Sequence, residues 1–219
     1  MKTLKTVAIL AAMAAATFAL PAQATLVTYT NLAAFQAAAG ATSLETFSGA
    51  AVGTSTSNFS GSFNKFTLSN VANGERSGIA NGSISGTDTP PAPFNGQNYY
   101  GWGEGNGDNG PVSTFTFANG TRAFGFDWFN TDTTDSYSVT INGLTQTVFN
   151  FNSSGFFGIV ATNETFSTAT IQNVTYGGYV QTEGLDNVRV GNVPEPGSIA
   201  LLGLALAGVA VARRKSAAK

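Results

Sequence analysis

The 219-residue chain contains no cysteine and no histidine, and only 10% of its residues are charged. Without cysteine there are no disulfides, no thiolate zinc sites and no cysteine nucleophile. Without histidine the Ser-His-Asp arrangement, imidazole metal sites and the commonest general base are all excluded. The charged fraction lies far below the quarter or so that is usual for soluble domains. Basic residues are scarcest in the middle, because Lys2, Lys5, Arg213, Arg214, Lys215 and Lys219 lie at the two ends. The body keeps Lys65, Arg76, Arg122 and Arg189 against eleven acids, a net charge of -7 with Glu195 left out. Such a body lacks the basic patch that nucleic-acid binding needs. What the chain does have is 26 glycines, 17 phenylalanines and many Ser, Thr and Asn residues. Phe and Thr favour strands, and Gly and Asn favour tight turns, so the composition is β-rich and ordered.

The two ends read as processing segments. Lys2 and Lys5 precede an uncharged apolar stretch from Val7 to Leu20, and Pro21-Ala22-Gln23-Ala24 follows it. A positive start, an apolar run and an A-x-A site predict a signal peptide over 1–24, cleaved between Ala24 and Thr25 by signal peptidase. At the other end, within Pro194-Glu195-Pro196, Glu195 is followed by seventeen uncharged positions and then by Arg213-Arg214-Lys215. As a helix those positions span about 25 Å, just enough for a thin bilayer. The spacing predicts a membrane helix over 198–212, with the basic cluster in the cytoplasm and the body outside. The prolines stop that helix and leave Glu195 in an extended segment.

This three-part tail, residues 193–217, resembles the PEP-CTERM sorting signal of Gram-negative bacteria. The residues that carry the resemblance are Pro194-Glu195-Pro196, the Leu/Gly/Ala run and Arg213-Arg214-Lys215. The resemblance implies handling by an exosortase, a membrane protease-transpeptidase that cuts near the motif. It also implies a transient hold in the inner membrane, then a cell-surface or extracellular location in an exopolysaccharide or biofilm context. A plain tail anchor is the alternative, with the same initial topology.

Residues 25–192 form the expected ectodomain. Tyr29 to Gly40 reads as a short helix, with Asn31 as N-cap, an Ala-rich body and Gly40 as the stop. Leu32, Phe35 and Ala39 share one face of it. Beyond it, period-two alternation predicts seven to nine short strands. They include Phe63–Val71, Ser113–Phe117, Ala123–Phe129, Ser136–Ile141, Leu144–Phe151, Phe156–Val160, Thr168–Val174 and Leu185–Val190. Asn142-Gly143 is a hairpin signal. Many short strands with Gly/Asn/Ser turns predict a mainly β antiparallel sandwich. Ala123-Phe124-Gly125-Phe126-Asp127, Gly155-Phe156-Phe157-Gly158 and Leu185-Asp186-Asn187-Val188-Arg189-Val190 are similar to patterns in the β-sandwich ectodomains of PEP-CTERM proteins. That similarity implies a jelly-roll or lectin-like architecture.

Three groups of residues are candidate sites. Glu104, Asn106 and Asp108 alternate with glycines in Gly101–Gly110, a pattern of oxygen ligands that suits Ca²⁺. A solvated Gly-rich loop is the alternative, and no other cofactor is expected. Tyr99, Tyr100 and Trp102 flank that loop and suit a sugar-stacking surface; closing the end of the core is the alternative. Asp127 and Asp186 are a conceivable glycosidase pair, on strands whose faces leave Asp186 beside Val188 and Val190. Ordinary backbone-pairing Asp residues are the alternative. Phosphate-loop, dinucleotide-binding, nucleophile-elbow and metalloprotease patterns are all missing, and the expectation is a non-enzymatic chain.

Overall fold

The computed structural model describes residues 25–71, 76–84, 88–103, 112–150, 152–175 and 182–192. The signal peptide with Ala22 and Ala24, the candidate calcium residues Glu104, Asn106 and Asp108, and the tail from 193 onward lie outside the described residues. Thr25 is described, and is the first residue of the first strand.

Fourteen strands and one helix make up the described body. The strands in chain order are β1 Thr25–Tyr29, β2 Ser43–Glu45, β3 Gly53–Ser55, β4 Ser60–Ser62, β5 Thr67–Val71, β6 Arg76–Ala80 and β7 Tyr99–Gly103. Then come β8 Val112–Thr121, β9 Ala123–Asn130, β10 Ser136–Ile141, β11 Leu144–Phe149, β12 Ser153–Thr162, β13 Phe166–Thr175 and β14 Thr182–Gly191. Helix α1, Leu32–Ala39, follows β1.

The strands build two antiparallel sheets. The larger runs β1-β12-β9-β14-β7-β6-β3, and the smaller runs β11-β10-β13-β8-β5-β4. Strand β14 is central to the larger sheet. One edge pairs with β9; the other pairs with β7 through Thr182–Leu185 and with β2 through Val188–Val190. The principal core lies between the sheets and is dominated by aromatic rings. Phe124, Phe126 and Trp128 of β9 meet Phe115 and Phe117 of β8, Tyr137 of β10 and Phe149 of β11. Tilted ring contacts such as Phe115–Phe124 at 5.1 Å and Trp128–Phe149 at 5.3 Å carry it. With no disulfide to help, burial of these rings is the main stabilising term.

Local chemistry explains the elements read from sequence. Asn31 Oδ1 accepts from Ala34 N at 3.0 Å, and Gly40 N donates to Gln36 O at 3.0 Å, so α1 begins and ends where its caps direct. Its buried residues are Phe35 and Ala39, which pack on Ala123, Phe156 and Val160 on the outer face of the larger sheet. Asn142 and Gly143 both take positive φ, 47° and 81°, and join β10 to β11 as a tight hairpin.

Other expectations need correction. Phe63–Val71 is a hairpin arm with a turn at Asn64-Lys65, and Phe63 N bonds to Phe66 O at 2.9 Å. Thr25–Tyr29, before the helix, is an edge strand on β12. Gly101 and Gly103, read as loop residues, belong to β7 inside the larger sheet. A Cβ on Gly101 would fall 2.5 Å from the Tyr99 ring and 2.7 Å from Glu183 O, so glycine is there for close approach.

Candidate functional site

The aromatic trio, read from sequence as either a sugar-stacking surface or the closing of the core, is buried. Tyr99, Tyr100 and Trp102 are all 0% exposed. The sugar-platform reading of these three residues is therefore corrected, because stacking needs an open ring face. Tyr100 and Trp102 point into the inter-sheet core, and Trp102 packs edge-on against Tyr137 and Phe149. The Trp102 indole N–H is buried with no hydrogen-bond partner. Tyr100 Oη shares a hydrogen bond of 2.8 Å with Ser113 Oγ, and Asn70 links Ser113 to Ser77. This small polar network ties the two sheets together, and burial pushes the Tyr100 phenol far above its ordinary range. Tyr99 lies on the outer face in a second cluster with Ala80, Ile84, Phe94 and Phe129, its hydroxyl bonded to Gly82 O.

The segment carrying Ile84 and Phe94 is clamped by Asp88. That carboxylate accepts from Thr182 N at 2.9 Å and Thr182 Oγ1 at 3.1 Å, and also from the Thr131 hydroxyl. The polar run 130–136, read as turn chemistry, is that. Asp132 Oδ1 accepts from Asp135 N at 2.9 Å, and Asn130 Nδ2 donates to Asp135 O at 2.8 Å. No group of three or more acidic side chains among the described residues is arranged to hold a metal ion.

Asp127 and Asp186 are brought together, directly opposite each other on β9 and β14. The face assignment for Asp186 is corrected. The pairing passes from Asp186↔Asp127 to Arg189↔Gly125, an extra residue on β14, with Asn187 at φ 53°. This bulge moves Asp186 away from the core face of Val188 and Val190 and onto the outer face beside Asp127. Asp127 pairs with Arg189 at 3.4 Å, and the Arg189 guanidinium lies 5.7 Å from the Phe156 ring centre. Asp186 is only 6% exposed, and its Oδ1 has no hydrogen-bond partner. Desolvation first, with the neighbouring Asp127 carboxylate adding to it, pushes its carboxyl up to about 7. Asp127, Asp186, Arg189 and Phe156 thus form a cluster on the outer face of the larger sheet, where Phe156 also packs on Phe35 of α1.

An open concavity lies elsewhere. A groove of about 610 Å³ sits at the end of the sandwich where β14 leaves. Its walls come from the Phe63–Thr67 turn, the last turn of β8 and the end of β14. Asn64, Lys65, Thr116 and Asn119 are exposed along it, while Phe63 is half-buried and Phe66 and Val190 are buried. Phe63 is held by Phe47 at 5.0 Å and Phe66 at 5.2 Å. Alternation along the sequence hides these residues, because it absorbs Lys65 into one continuous strand. Asn64-Lys65 between two phenylalanines is the signal of a turn that the sequence does carry.

Comparison with known proteins adds one firm result. No curated protein matches the chain. Among solved structures, it is similar to the enzymatically active domain of tailspike protein 4 of bacteriophage CBA120, at 17% identity and TM-score 0.30. That match covers 61% of this chain but 19% of the tailspike chain. A family 11 carbohydrate-binding module from Clostridium thermocellum is similar at 10% identity and TM-score 0.34, over 67% of this chain and 100% of the module. Residues 192–215 match the PEP-CTERM protein-sorting motif, so the chain carries, directly behind its β-sandwich, a signal that implies exosortase-dependent export.

Proposed function

We propose that this protein is a non-enzymatic surface or matrix protein whose β-sandwich is the cargo of its sorting tail. The observation that carries the reading is positional. The last core strand ends at Gly191, and the sorting motif begins at residue 192. The motif is thus joined to a finished domain with no intervening linker. Signal peptidase and an exosortase are the processing partners, and the inner membrane is the temporary station of the tail. The product then resides at the cell surface or outside the cell, in a polysaccharide-rich matrix. The non-enzymatic reading is supported by the state of the Asp127–Asp186 pair, since Asp186 is buried and the half-buried Asp127 is held by Arg189. Replacing Pro194-Glu195-Pro196 by three alanines and following the protein by cell fractionation tests the sorting step. The variant should accumulate in the membrane fraction at full length. An unchanged distribution and size would remove the proposed dependence on the motif.

A second reading, retention by a matrix glycan, is favoured by the end groove. It combines an aromatic wall with exposed amides and hydroxyls, the mixture that recognises a sugar's apolar face and polar rim.

A further inference from the structure

We infer that the end groove is a binding site for an acidic sugar unit of a polysaccharide, with Lys65 receiving the ligand carboxylate and Asn64 and Asn119 its hydroxyls. The inference rests on the glycan-retention reading above and gives it a location and a ligand class.

Size comes first. A volume of about 610 Å³ falls inside the range of about 300–1,000 Å³ typical of small-ligand sites. Availability comes second. Many polar side chains in this protein are already committed: Asn31, Asn70, Asn98, Asn130 and Asn142 each hold a backbone or side-chain partner. Around the groove the situation differs. The side chains of Asn64, Lys65, Thr67, Thr116 and Asn119 make no hydrogen bond or ion pair among the described residues. Five uncommitted polar groups thus border one concavity, each able to exchange water for a ligand at little internal cost.

Charge selects the ligand class. Among the described residues Lys65 is the only charged one lining the groove, in a body whose acids outnumber its bases. Glu45 lines a small adjoining cavity with Lys65, but no ion pair joins them, and Glu45 Oε1 accepts from Phe47 N at 2.9 Å. An ammonium with no ion-pair partner among the described residues, beside amides and an aromatic wall, fits a carboxylated ring better than a neutral one. The wall is rigid, since Phe63 is wedged between Phe47 and Phe66. A preorganised wall lowers the ordering cost of binding.

The test uses the protein purified as the cell exports it, titrated calorimetrically with polygalacturonate, with neutral dextran and with phosphatidylglycerol vesicles. Lys65→Gln and Asn119→Ala alter exposed positions, and thermal melts check that both still fold. The inference expects polygalacturonate binding that weakens with salt and falls about tenfold or more in Lys65→Gln. Asn119→Ala should weaken it too. Polygalacturonate binding indifferent to both substitutions would overturn the groove and leave glycan retention standing. Dextran binding lost in the variants, without polygalacturonate binding, would keep the groove and overturn the acidic class. Lys65-dependent vesicle binding alone would replace the glycan by a lipid headgroup. No binding to any probe would remove both the inference and the reading beneath it.

Discussion

Asp186 is a residue whose acid–base chemistry departs strongly from its ordinary state. Its carboxyl is raised to about 7 in the folded chain against an ordinary value of 3.8. The folded state therefore holds a proton that the unfolded chain gives up earlier. Stability falls as pH climbs from about 4 to about 7 and then levels off. The full penalty is on the order of a few kcal/mol, since each tenfold change in proton affinity corresponds to about 1.4 kcal/mol. Asp186→Asn should thus melt several degrees above the parent at pH 8 and close to it at pH 4, as read by circular dichroism. An equal difference at both pH values would contradict a buried, protonatable Asp186. Trp102 gives a second residue-scale prediction. Trp102→Ala should cost about 3–5 kcal/mol by denaturant unfolding, the penalty of emptying a ring-sized core position. A folded, equally stable Trp102→Ala protein would contradict its burial. Residue roles set by neighbours in sequence were legible here: Asn31 as a cap, Asn142-Gly143 as a turn. For Tyr99, Tyr100 and Trp102 the sequence left open both a sugar-stacking surface and closure of the core, because their surroundings come from Ser113, which meets Tyr100 across the two sheets, and from Glu183, paired with Trp102 on β14.

At the scale of elements, alternation was a sound guide wherever one face met the core, as in β10, where Tyr137, Val139 and Ile141 all turn inward. It misled at β7 and β14 for different reasons. The glycines of β7 mimic a loop, although they are required by rings packed against the strand. In β14 the bulge at Asn187 shifts the period by one, and no residue pattern announces it before the β9 register is known. The groove was illegible for a related reason: it is bounded by a turn, the end of β8 and the end of β14, which are remote in sequence. The helix offers the element-scale test. Asn31→Ala should cost about 1 kcal/mol, because the Ala34 N–H loses its acceptor. Amide exchange should rise selectively across α1, while the β9 and β14 amides stay protected. A uniform rise across the sheet would contradict a locally capped helix lying on a separately stable sandwich.

At the scale of the molecule, chemistry and address are separated. The body is an aromatic-cored sandwich free of cysteine and histidine, and the sorting motif follows it immediately. The acidic body and the basic ends do different work. The tail, with Arg213-Arg214-Lys215, suits a membrane station, and the body keeps few cations, of which Lys65 faces an open groove. The sorting signal was the most legible part of the chain because recognition of such a tail depends on order along the sequence. The ligand site was the least legible because it depends on three-dimensional assembly. The central claim, that the sandwich is cargo released from its tail, is tested most directly by intact-mass spectrometry of the protein recovered from surface and extracellular fractions. The account predicts a chain beginning at Thr25, ending close to Pro194-Glu195-Pro196 and lacking Arg213-Arg214-Lys215. An extracellular product intact through Lys219 would contradict it.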